Sequence, residues 1–114
     1  MSAHSKLAEQ NDAFRRGCEW LPPLRGAKLH TDGIDVLGLE TVLDIWARVK
    51  AYNEFNESND PYGEHDFGSF DHPHAGKVFW KIDYYSPDLK YGSEDPNDPA
   101  KTHRVLTVML AKEY

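Results

Sequence analysis

The sequence predicts an α+β fold: a two-layer domain with a four-stranded, largely antiparallel sheet and two helices, in the order α-β-β-α-β-β. Three observations carry this expectation. From Leu39 to about Phe55, apolar residues recur every three or four positions, the period of an amphipathic helix. From Lys77 to Tyr85 they alternate, with Val78, Trp80, Ile82 and Tyr84 on one side and Phe79, Lys81, Asp83 and Tyr85 on the other, the period of a strand. From His103 to Lys112 apolar residues occupy both faces, as a central strand requires.

The remaining elements follow in order. Ser5 to Arg16 carries Leu7, Asn11 and Phe14 at helical spacing, with serines available as caps and Gly17 as a stop signal, so a short amphipathic helix is expected. Pro22-Pro23 and Gly26 then predict irregular chain until about Ala27. Asp32-Gly33, between short apolar segments in Leu29 to Leu37, reads as the turn of a β-hairpin. In the Leu39 helix, Val42, Leu43, Ile45, Trp46, Val49 and Tyr52 form the apolar side, and Asp44 with Arg48 makes an i,i+4 pair on the wet side. Asn56 to Gly76, rich in Asn, Asp, Gly, Ser and His, reads as one long loop, and Ser86 to Thr102, punctuated by Pro87, Gly92, Pro96 and Pro99, as a second.

The chain has 114 residues, the size of one domain, so residues 1–114 are read as a single unit around one core. Three Trp, six Tyr and five Phe supply much of the burial that such a core needs. No apolar run approaches the roughly 20 residues of a membrane helix, and the polar start lacks the apolar stretch of a secretory signal. A cytoplasmic location is expected, and the lone Cys18, read as buried and inert beside Trp20 and Leu21, agrees with a reducing compartment.

The formal net charge is −6, and the acids cluster. Between Asn53 and Gly76 lie Glu54, Glu57, Asp60, Glu64, Asp66 and Asp71, with no Lys or Arg. Such a segment repels phosphate, which argues against direct nucleic-acid binding there, and it suits a partner protein with a basic surface. A plain solvated loop that aids solubility is the alternative.

Chemistry is concentrated in Asn59-Asp60-Pro61-Tyr62-Gly63-Glu64-His65-Asp66-Phe67-Gly68. His65 beside Glu64 and Asp66 is a candidate catalytic group, a general acid/base pair, and the same residues are candidate ligands of a divalent cation, with His72 and His74 as additions. Asp60, Lys81, Asp83, Asp95, Asp98 and Arg104 are candidate binding residues around it. This reading requires the two long loops to converge, so that Asp95 or Asp98 approaches His65. The structural alternative has Asp60 starting a turn, Gly63 and Gly68 at positive φ, Tyr62 and Phe67 anchoring the loop, and His65 with Asp66 holding it in place. No Gly-rich phosphate loop, paired CxxC or HExxH motif occurs, and no cofactor or metal is assigned.

Three spaced blocks, NDPYGEHDFG, WKIDYY, and DPNDP followed by RVLTVMLAKEY, resemble the signature of the family known as domain of unknown function 3768. The first block is carried by Asn59, Asp60, Pro61 and Gly63 to Gly68, the second by Trp80 to Tyr84. The third is carried by Asp95, Pro96, Asp98, Pro99, Thr102, Arg104 to Thr107, Met109, Leu110, Glu113 and Tyr114. The likeness runs from about Asn11 to Tyr114, with His72 and His74 outside the blocks. It implies a small alphaproteobacterial protein, often of plasmids or other mobile elements, and no activity. The expectation is therefore an acidic interaction or accessory factor of a mobile element, directed at a host defence or nucleic-acid-handling system. A small enzyme or metal-binding domain centred on Glu64, His65 and Asp66 is the alternative.

Overall fold

The computed structural model describes residues 3–114, with elements α1 (Ala3–Arg16), β1 (Arg25–His30), α2 (Asp32–Asp35), α3 (Leu39–Ala51), β2 (Phe67–His72), β3 (Gly76–Tyr85) and β4 (His103–Leu110). Short 3-10 turns cover Pro99–Lys101 and Ala111–Glu113. The four strands form one sheet in the order β1-β4-β3-β2. β2 with β3 and β3 with β4 are antiparallel, whereas β1 runs parallel to β4, so the α+β class holds with a mixed sheet.

Period-2 alternation sorts the sheet into two faces. Val78, Trp80 and Ile82 of β3 and Leu106, Val108 and Leu110 of β4 are buried on the inner face, where Ile34 of α2, Val42, Ile45 and Val49 of α3, and Phe14 of α1 complete the core. Leu39 and Leu43 fall outside the buried stripe of α3 and are exposed. The outer face is covered only in part among the described residues: Tyr114 packs edge-on against Phe67 and Phe79.

α1 ends where Gly17 was expected to stop it. Gly17 takes φ +74°, and the N–H groups of Gly17 and Cys18 donate to the carbonyls of Phe14 and Ala13, a Schellman closure. The serine caps expected at its start fall outside the described side chains.

The Asp32-Gly33 hairpin does not form. β1 lies earlier, through Gly26, and Thr31-Asp32-Gly33 opens α2. Burial decides this, because a helical turn brings Ile34 fully into the core while Glu113 accepts from the Thr31 hydroxyl and the Gly33 N–H. The missing strand is β2, inside the expected Asn56 to Gly76 loop. The element order is thus α-β-α-α-β-β-β. β2 evaded the pattern because it is an edge strand whose inward positions are Gly68, Phe70 and His72, of which only Phe70 has a hydrophobic side chain. Cys18 is exposed rather than buried, because the segment after α1 projects Leu21 into solvent at 88% exposure.

Candidate functional site

α1 turns an unusual face inward: Gln10, Asn11 and Arg15 are fully buried or nearly so. Buried polar groups need partners, and these find theirs in both long loops. Asn11 Nδ2 donates to the Glu64 carbonyl at 2.9 Å and to the Tyr84 hydroxyl at 2.7 Å, and Gln10 Nε2 donates to the Asn97 carbonyl at 2.9 Å. Arg104, wholly buried on β4, donates through Nε to Asn11 Oδ1 and through Nη2 to Gln10 Oε1 and the Pro96 carbonyl. Tyr84 in turn donates to Asp66 Oδ2 at 3.0 Å. Donation therefore runs one way, from the Arg104 cation through Asn11 and Tyr84 to the Asp66 carboxylate. Burial lowers the affinity of Arg104 for its proton and raises that of Asp66, and it pushes the Tyr84 hydroxyl far above the ordinary phenol range.

His65 sits beside this chain in the left-handed region, at φ +56°. Its ring stacks on Phe55 with centroids 3.9 Å apart and planes 5° apart. Nδ1 lies 3.1 Å from both oxygens of Asp12, and Nε2 lies 3.6 Å from Asp60 Oδ2. Asp12 also receives Arg15 Nη2 at 2.8 Å, while Arg15 Nη1 donates to the carbonyls of Val49 and Lys50 at the end of α3. The guanidinium lies over Trp80 of β3, 5.0 Å from a ring centroid, so one cation ties α1 both to the end of α3 and to the indole at the centre of the core.

Of the carboxylates in the first block, Asp60 serves the backbone and Asp66 serves Tyr84. Asp60 accepts from the N–H groups of Glu64 and His65 and closes the turn, with Gly63 at φ +63°. Gly68 is not at positive φ: it is a strand residue pressed against Trp80. Tyr62 projects into solvent instead of anchoring the loop, and Phe67 anchors it on the outer face of the sheet. Asp95 and Asp98 accept from Asn97 N and Ala100 N in their own loop. Both loops converge on α1, yet the side chains of Asp95 and Asp98 are spent on that loop. Lys81 and Asp83 pair with each other at 3.1 Å on the outer face, away from the Phe55 and Asp12 that flank His65. Among the described residues no group of three or more His, Cys, Asp or Glu converges with metal-binding geometry.

Gln10, Asn11, Asp12 and Arg15 were not singled out from the sequence. Their signal was present, since Asn11 stands at the apolar spacing of Leu7 and Phe14, where a polar residue must find a buried partner. His72 was also underrated: Nε2 donates to Asp44 at 2.6 Å, and Nδ1 accepts from His74 N and Ala75 N.

Residues 30–113 match the model of a family described as a protein of unknown function, DUF3768. The chain belongs to the DUF3768 family. The DUF3768 match contains the first two signature blocks and the third as far as Glu113, starts at His30 rather than near Asn11, and so leaves α1 outside the matched span. Glu64, Tyr84 and Arg104, inside the matched span, are thus bonded by a helix that lies outside it. No curated protein and no solved structure matches this chain. No helix among the described residues is long and apolar enough to cross a membrane.

Proposed function

We propose that the protein is a small interaction factor that docks on the basic surface of another protein through the acidic face formed by its two long loops. The observation that carries this reading is the pinning of both loops to α1 by Gln10, Asn11 and Asp12, which holds the exposed Glu54, Glu57, Glu94 and Asp95 on an ordered surface. A charged surface fixed before encounter loses less conformational freedom on binding than a floppy one and steers a partner of opposite charge. The same charge disfavours nucleic acid as the direct ligand. The mobile-element setting implied by the family likeness makes a host protein that handles nucleic acid, or defends the host, the natural class of partner.

The test is affinity capture on the immobilised protein at about 50 mM and about 500 mM salt, because the screening length of exposed charges falls from about 14 Å to about 4 Å across this range. The expected result is a Lys- and Arg-rich partner retained at low salt, released at high salt, and lost with Glu57→Lys plus Glu94→Lys. A partner retained equally by the double variant would sink the reading.

A further inference from the structure

β2 is an edge strand, and its ladder with β3 shows which of its backbone groups are free. The Ile82 N–H donates to the Asp66 carbonyl, which makes Phe67 and Lys81 a non-hydrogen-bonded pair. By alternation, Gly68, Phe70 and His72 bond β3, while Phe67, Ser69 and Asp71 aim their N–H and C=O groups outward, where they meet no partner among the described residues. No proline or lysine within β2 blunts this edge, as edges are commonly protected.

The groove beside that edge is formed and charged. Glu40, Asp44 and Arg48, successive turns of α3, face the inner side of β2 across two hollows that share Arg48. One, of about 430 Å³, is lined by Glu40, Asp44, His72 and His74. The other, of about 210 Å³, is lined by Tyr52, Phe70 and Glu54. Phe70 and His72 are two residues apart on β2, so the hollows match the two-residue repeat of side chains on one face of an added strand. Asp44 is held in place by His72 Nε2 at 2.6 Å and Arg48 Nε at 2.9 Å, and among the described residues Arg48 is the one Lys or Arg that lines the two hollows.

We propose that β2 accepts an extended partner segment as a fifth strand, with a Lys or Arg side chain in the Glu40–Asp44 hollow and an apolar side chain, two residues away, in the Tyr52–Phe70 hollow. Main-chain bonds to Phe67, Ser69 and Asp71 supply affinity, and the two hollows supply sequence preference. This surface shares Glu54 with the acidic loop face but contains neither Glu57 nor Glu94, so the charge reversal of those two tests the loop face without touching this one.

The test uses the full chain and a capped synthetic peptide of about ten residues that alternates Thr with Val and carries Lys and Leu at adjacent inward positions. Amide exchange by NMR and fluorescence anisotropy are the readouts. The expected result is protection of the Phe67, Ser69 and Asp71 amides, with binding weakened about tenfold or more when the peptide Lys becomes Glu or the protein carries Glu40→Lys. Ser69→Pro removes an outward N–H and is expected to abolish protection. Should it fail to fold, Glu40→Lys and the charge-swapped peptide still decide. Glu57→Lys plus Glu94→Lys is expected to leave peptide binding unchanged, which separates this result from the loop reading. Unchanged amides at millimolar peptide would overturn the proposal. So would protection that depends on protein concentration without peptide, which would make a second copy the occupant.

Discussion

Gly68 of β2 lies against the indole of Trp80, its ladder partner on β3, so closely that a Cβ at position 68 would stand 2.5 Å from Nε1. Trp80 has nowhere to retreat, because it is fully buried between the rings of Tyr52 and Phe55 and beneath the Arg15 guanidinium. Gly68→Ala is expected to lower stability by about 1–3 kcal/mol through overpacking. Gly63→Ala meets no atom within 4 Å and is strained only by its φ of +63°, an expected loss of about 1 kcal/mol. Urea unfolding followed by tryptophan fluorescence ranks the two.

Asn11 is the junction of the buried chain, with both amide hydrogens donated and its oxygen accepting from Arg104. Asn11→Ala strands a buried guanidinium nitrogen and takes away the hydrogen bond donated to the Tyr84 hydroxyl, and an expected loss of about 2–4 kcal/mol follows. Arg104→Met, which fills the space without a charge to satisfy, is expected to be milder than Arg104→Ala. Denaturation midpoints of the three variants check both statements.

Burial first, and then the charges of Asp60 and Asp83, raise the folded-state proton affinity of Asp66 against the opposing hydrogen bond from Tyr84. A carboxyl so raised destabilises the fold when it ionises. The penalty is absent below its unfolded value of about 3.9 and complete above its folded value. Asp66→Asn keeps an acceptor for Tyr84 without the charge. The variant is expected to gain on the wild type as pH rises from about 3 to 7, and a variant that loses stability relative to the wild type over that range would refute the sign.

Asp44 behaves oppositely. Hydrogen bonds from His72 and then Arg48 hold its carboxyl below the usual carboxylate range. Its stabilising contribution is therefore full above the unfolded value of about 3.9 and is lost as pH falls through the folded value. Asp44→Asn is expected to destabilise at pH 6 and to destabilise less at about pH 2. Thermal unfolding at the two pH values separates these outcomes.

Residues with unambiguous periodicity were legible from the sequence. The alternation of Val78, Trp80 and Ile82 placed β3 within one residue, and both long helices were located because their apolar spacing and, for α1, the Gly17 stop agree. β1 and β2 were obscured for the same physical reason: each is an edge strand with glycine facing inward, Gly26 under Phe14 and the Arg104 carbonyl, Gly68 under Trp80. Close packing there depends on the lack of a side chain, which no hydrophobic pattern records. The candidate site divided similarly. Asp60 as a turn-closing carboxylate followed from local chain chemistry, whereas the Asp12 to His65 contact joins residues far apart in sequence and only the fold brings them together.

The sheet order places β4, the last strand in the chain, between β1 and β3. The β2–β3 hairpin can form from neighbouring residues, but β1 has no strand to pair with until His103 to Leu110 is present. Assembly of the whole sheet therefore waits on a contact between Arg25 and His103 that closes most of the chain into one loop, and such non-local pairing is slow. Any shortened chain that stops before His103 leaves β1 and the hairpin as two separate pieces with their apolar faces unclosed, so a chain cut anywhere in the loop before β4 should fare as badly as one cut within the strand itself.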